Sequence, residues 1–134
     1  MNAVAAPDVT IARLEDGTLS PQRFDHEAHV YLAWCYLEEW PVLDAIHRFS
    51  VALQRLTAKL GVPGKYHATM TWFFMLLIAE RRARTGDSDW FSFRRDNSDL
   101  FCRQPGIIGR YYSSELLASD YARQSFVLPD RLLG

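Results

Sequence analysis

Apolar residues recur at helical spacing through the middle of the chain and mark three long amphipathic segments. The clearest seam follows an unbroken 4-3-4-3-4 spacing and consists of Val42, Ile46, Phe49, Leu53, Leu56 and Leu60. The pattern predicts helices over residues 25–40, 42–60 and 66–84, separated by turns at Pro41 and at Pro63-Gly64. Because turns this short make consecutive helices antiparallel neighbours, the sequence predicts an up-down-up three-helix core.

Shorter elements are expected on both sides of this core. Residues 1–20 mix turn residues with a few apolar ones and are interpreted as an N-terminal arm, and residues 21–134 as a single helical domain. After Gly86, aromatic residues alternate with charges, which favours short additional helices that cover one end of the bundle. No stretch alternates with period two for long enough to predict a strand, so the expected fold class is all-α.

Composition narrows the possible partners. The 134 residues suffice for one core, and 49% of them are hydrophobic. Fifteen Lys and Arg against sixteen Asp and Glu give a net charge of −1, without the basic excess that binding to nucleic-acid phosphates needs. The longest apolar run, Trp72 to Ala79, is far shorter than a membrane span, and the first residues lack a signal-peptide pattern. We therefore expect a cytoplasmic protein that binds neither nucleic acid nor a membrane.

Three histidines form the main chemical lead. In the up-down-up order the starts of the first and third helices lie at the same end, which places His26 and His29 near His67. His26 and His29 are spaced i, i+3 and share a helix face, and Thr71 lies one turn after His67. Three neutral imidazoles are a plausible facial set for Zn²⁺, Fe²⁺, Cu²⁺ or Ni²⁺ with open positions for water or substrate. The same histidines are the candidate catalytic residues, and Thr71 would orient a ring or bind a ligand.

The remaining polar groups of such a site would come from the C-terminal segment. Residues 104–125 are expected to cover the histidine end, with Arg110, Tyr111 and Tyr112 binding the substrate. One hypothesis is therefore an enzyme acting on a small polar molecule, with a metal or with a histidine as general base.

A plainer interpretation stands beside the enzymatic one. His-x-x-His alone is a weak motif, and buried His, Thr and Tyr side chains often form a hydrogen-bonded core network. The alternative hypothesis is thus a non-catalytic helical binding module with structural histidines, whose exposed aromatic residues in 90–101 contact a partner or form a homodimer.

Several short motifs together resemble an uncharacterised family of small bacterial helical proteins. They are Phe-Asp-His-Glu-Ala-His at 24–29, Lys-Tyr-His-Ala-Thr-Met-Thr at 65–71, Tyr-Tyr-Ser at 111–113 and Pro-Asp at 129–130. The resemblance covers most of residues 24–130 and supports the choice of site residues, but it implies no reaction. Family members often carry an acidic residue where this chain has Ala68.

Overall fold

Three long helices form where the apolar spacing predicts them. The structure, a computed structural model, describes residues 8–86, 89–102 and 106–131. Within these residues the long helices are α2 (His26–Glu39), α3 (Val42–Lys59) and α4 (Ala68–Thr85), and each packs against the other two. They are preceded by α1 (Ile11–Asp16) and followed by α5 (Trp90–Asp96), α6 (Ser114–Ala118) and α7 (Asp120–Gln124). The described residues contain no strand, so the all-α class is confirmed, while the up-down-up order stays a prediction.

The seam of α3 forms the centre of the core. Ile46, Phe49, Leu53 and Leu56 are buried as their spacing predicts, whereas Val42 and Leu60 at the two ends are about two-fifths exposed, at 39% and 41%. The predicted arm contributes to the core through Leu14 of α1, which is fully buried. Residues 1–7 of that arm lie outside the described residues.

The helical spacing in α4 predicts an inward face made of Met70, Phe73, Phe74, Leu77 and Ile78. Phe73 and Ile78 are buried, but Met70 is 37% exposed and Met75 is fully buried instead. The helix also begins at Ala68, two residues later than predicted, because Pro63–Lys65 form a 3-10 turn and Tyr66 is extended. His67 therefore precedes the helix.

The C-terminal segment crosses the start of α4. Thr69 donates a hydrogen bond from Oγ1 to the carbonyl of Ser125 at 2.8 Å, and Arg123 donates to the carbonyl of Gly64 at 2.9 Å. These bonds fix α7 against the turn that leads into α4. No helix in the described parts of the chain combines the length and apolarity that crossing a membrane requires.

Candidate functional site

A cavity of about 340 Å³ opens between the start of α2, the C-terminal half of α3 and the start of α4. Most of its lining is apolar: Pro21, Phe24, Leu53, Leu56, Leu60, Val62 and Met70. The polar lining residues are His29, Thr57, Lys65, Tyr66, His67 and Thr71. Size and lining are those of a pocket for a small, largely apolar molecule, since binding pockets are typically apolar with a few polar groups.

His29 is held between two aromatic rings inside this cavity. Phe24 stacks on the imidazole at a centroid distance of 5.3 Å, and Phe49 meets it edge-on at 5.2 Å. The stacking follows from the start of α2: Asp25 is the N-cap, so Phe24 and His29 occupy the two positions that pack together in a hydrophobic staple.

The surroundings of His29 keep its ring neutral. Burial, which would strip the charged imidazolium of its hydration, and secondly the neighbouring His26 together lower the pKa of His29 to about 4. The ring nitrogens of His29 form no hydrogen bond with any other described residue. The cavity thus contains a neutral imidazole that can donate or accept one hydrogen bond.

His67 lines the same cavity, but both of its ring nitrogens are occupied. The backbone N–H of Met70 donates to Nδ1 at 3.2 Å, which makes His67 the N-cap of α4. Nδ1 is therefore unprotonated, and Nε2 carries the proton that it donates to the carbonyl of Leu117 at 2.8 Å. This imidazole joins α4 to α6 and has no nitrogen left for a metal or a substrate.

His26 points to a different part of the molecule. Its Nε2 donates to the carbonyl of Leu100 at 2.7 Å, and its ring meets Phe74 edge-on. His26 is not among the lining residues of the cavity. The predicted facial set of His26, His29 and His67 is thus not assembled, because the rings of His26 and His67 are hydrogen-bonded to backbone carbonyls. In the described residues no group of three or more His, Cys, Asp or Glu side chains could hold a metal ion.

The other predicted site residues are divided between the cavity and distant positions. Thr71 lines the cavity, but its hydroxyl donates to the carbonyl of His67 at 2.9 Å. Tyr111 and Tyr112 instead pack on Phe73, further along α4. Arg110 is exposed and lies in a separate depression.

The segment predicted as a roof therefore covers the start of α4 with residues other than the predicted ones. Leu117, Arg123 and Ser125 make the contacts with the residues at or just before that start. Residues 104 and 105 of the same segment lie outside the described residues.

Sequence reasoning missed Lys65 and Tyr66, which the structure places on the cavity wall. The tyrosine hydroxyl forms no hydrogen bond within the described part of the chain, and Lys65 is exposed. The signal in the sequence was the pair Leu60 and Val62, two apolar residues at a glycine turn, where solvent-exposed polar residues are more usual.

Comparison of the chain with protein-family models, with curated proteins and with solved structures gave no match.

Proposed function

We propose that this protein binds a small, mainly apolar molecule in the cavity, with a hydrogen bond between the ligand and the neutral imidazole of His29. The observation that carries the proposal is an imidazole that has no hydrogen-bond partner among the described residues and lies on a mostly apolar cavity wall. His29 is partly exposed in the cavity, and a hydrogen bond from a ligand to its ring would add about 1 kcal/mol to the apolar contacts.

The state of His29 favours binding over catalysis by this residue. A general base works best when its pKa lies near the operating pH, and burial holds the pKa of His29 at about 4. Such an imidazole is a weak base at neutral pH but an effective hydrogen-bonding group. The non-catalytic alternative therefore has more support than an enzyme that uses the three histidines.

The volume indicates the size of the ligand. A dry apolar cavity of about 150 Å³ is enough to bind benzene. The cavity here, about 340 Å³, would hold a molecule of roughly twice that size, such as a bicyclic aromatic compound or a chain of eight to ten carbons.

Fluorescence titration with 1-naphthol, a neutral bicyclic compound with one hydroxyl, tests the proposal. We expect saturable one-to-one binding that Met70→Trp abolishes, because the new side chain fills the mouth of the cavity. Leu76→Trp is the matched control: it is 39% exposed on the same helix, close to the 37% of Met70, but does not line the cavity. Binding that survives Met70→Trp unchanged would place the ligand elsewhere and refute the proposal.

The hydrogen bond to His29 is tested separately. His29→Phe should weaken the affinity for 1-naphthol by about 3- to 10-fold, as expected for the loss of one neutral hydrogen bond. The affinity for naphthalene should be almost unaffected. Equal losses of affinity for 1-naphthol and naphthalene would show that His29 contributes only packing contacts. Tyr66→Phe, measured in the same way, determines whether the unbonded hydroxyl of Tyr66 also contacts the ligand.

A further inference from the structure

We infer that the ligand of this cavity is an amphipathic monoanion, with its apolar body inside the cavity and a carboxylate at the mouth beside Lys65. The inference rests on the proposed function and adds to it the charge of the ligand and its orientation.

The charges around the cavity have one sign. Of the described residues that line it, none is acidic, and Lys65 is the only one with a full positive charge. Arg123 lies next to it, because its guanidinium donates to the carbonyl of Gly64, the residue before Lys65. Within the described ranges, neither Lys65 nor Arg123 forms an ion pair with a carboxylate. Two cations without counter-ions thus lie at one edge of an apolar cavity.

The exposure of the lining residues gives the cavity a direction. His29 is only partly exposed and contacts the fully buried ring of Phe49, so it lies deeper in the cavity than Lys65. Lys65 is exposed, as are the neighbouring Val62 and Met70, both at 37%. A charged group would keep its hydration at this outer end, whereas at the inner end it would have to be desolvated between aromatic rings. The anion therefore belongs at the mouth and the apolar body inside.

The donors at the mouth suit a carboxylate better than a phosphate. A lysine ammonium is a flexible point charge that a single carboxylate can neutralise. Phosphate sites usually add several backbone N–H groups at a helix start, but the N–H of Met70 in the first turn of α4 is already bonded to His67. Ala68 and Thr69, the other residues at this helix start, do not line the cavity, so the mouth offers charge without a set of backbone N–H groups.

Competition with bound 1-naphthol tests the inference, with octanoate, 1-octanol and octylamine as competitors below their micelle concentrations. These compounds share one chain and differ in the charge of the head group. At low salt we expect octanoate to displace 1-naphthol at a concentration about fivefold lower than 1-octanol does. A difference of this size corresponds to one exposed ion pair. The preference should fade in 1 M NaCl, where charges are screened beyond about 3 Å.

Substitution of Lys65 shows whether this residue provides the charge. Lys65→Gln should weaken the preference for octanoate, and Lys65→Glu should abolish it, because Arg123 remains as the second cation at the mouth. Octylamine, which is protonated at neutral pH, should compete better with Lys65→Glu than with the wild type. Arg95→Gln is the control, because Arg95 is an exposed arginine of α5 that does not line the cavity. It should retain the wild-type preference. Circular dichroism confirms that each variant is folded.

The possible failures are distinguishable. Equal displacement by octanoate and 1-octanol in the wild type would overturn the inferred charge and leave the cavity as a site for neutral molecules. A preference of undiminished size in Lys65→Gln would overturn the role of Lys65. A wild-type protein that binds neither 1-naphthol nor any of the octyl compounds would refute the proposed function, and the inference with it.

Discussion

Lowering the pH from 7 to 5 should destabilise the protein through His29. In the unfolded chain this imidazole titrates near 6.5, whereas in the folded protein burial lowers its pKa to about 4. Between these values the unfolded chain takes up a proton that the folded protein excludes, so acid favours unfolding. The contribution of His29 is fully present above pH 6.5 and is lost as the pH falls toward 4. Proton linkage puts the loss between pH 7 and 5 at about 2 kcal/mol.

Urea denaturation at pH 7, 6 and 5, followed by tryptophan fluorescence, measures this loss in the wild type and in His29→Phe. All other titratable groups are common to both proteins, so the difference between their pH dependences isolates position 29. Carboxyl groups whose pKa lies below the usual 3.8 remain charged at pH 5 and do not confuse the comparison; they are Asp16, Asp89, Asp99 and Asp130. Leu43→Ala, at a residue 71% exposed on α3, is the control and should keep the wild-type pH dependence.

Two results would refute this reasoning about His29. One is the same pH dependence of the free energy of unfolding in the wild type and in His29→Phe. The other is an NMR titration in which the ring of His29 takes up its proton near pH 6.5, since that would show an imidazole fully accessible to water.

Two further predictions concern the core and the C-terminal segment. Phe49→Ala should lower the free energy of unfolding by about 3–5 kcal/mol in urea denaturation, because Phe49 is fully buried. Leu43→Ala, at a residue 71% exposed on the same helix, should change it by less than about 0.5 kcal/mol. Tyr112→Phe should lower the free energy of unfolding by about 1 kcal/mol in the same assay, because the hydroxyl of Tyr112 donates to the carbonyl of Val127 at 2.6 Å. Tyr121→Phe, at an exposed tyrosine, should leave it almost unchanged. Equal effects within either pair would contradict the assigned contacts.

The bounds of α3 could be predicted from the sequence, but the inward face of α4 could not. Polar residues alternate with the apolar seam of α3, so only one orientation buries the seam. In α4 the run from Trp72 to Ala79 is apolar on every side, so spacing alone does not indicate which residues face inward. The choice of Met75 over Met70 depends on packing against α2 and α3, which no local pattern records.

The candidate site could be predicted in its location but not in its chemistry. The turns indicated that the starts of two helices would bring histidines near one another, and His29 and His67 do line one cavity. The hydrogen bonds of each imidazole could not be predicted, because the backbone carbonyls that accept them are distant in sequence. The carbonyl bonded to His26 is 74 residues away, and the one bonded to His67 is 50 residues away.

The different roles of the three histidines bear on how the cavity is kept open. His67 caps the start of α4 and ties it to α6, and His26 ties the start of α2 to the 3-10 turn at Ser98–Phe101. Both bonds hold a helix start that borders the cavity. Under the proposed function, walls held in this way would lower the ordering cost of binding a ligand. His29 is left as the imidazole whose hydrogen bonds the protein does not use. A catalytic site made of the three histidines would require all three rings to be available together. Two of these rings instead form hydrogen bonds that position the cavity wall, and His29 lies on that wall.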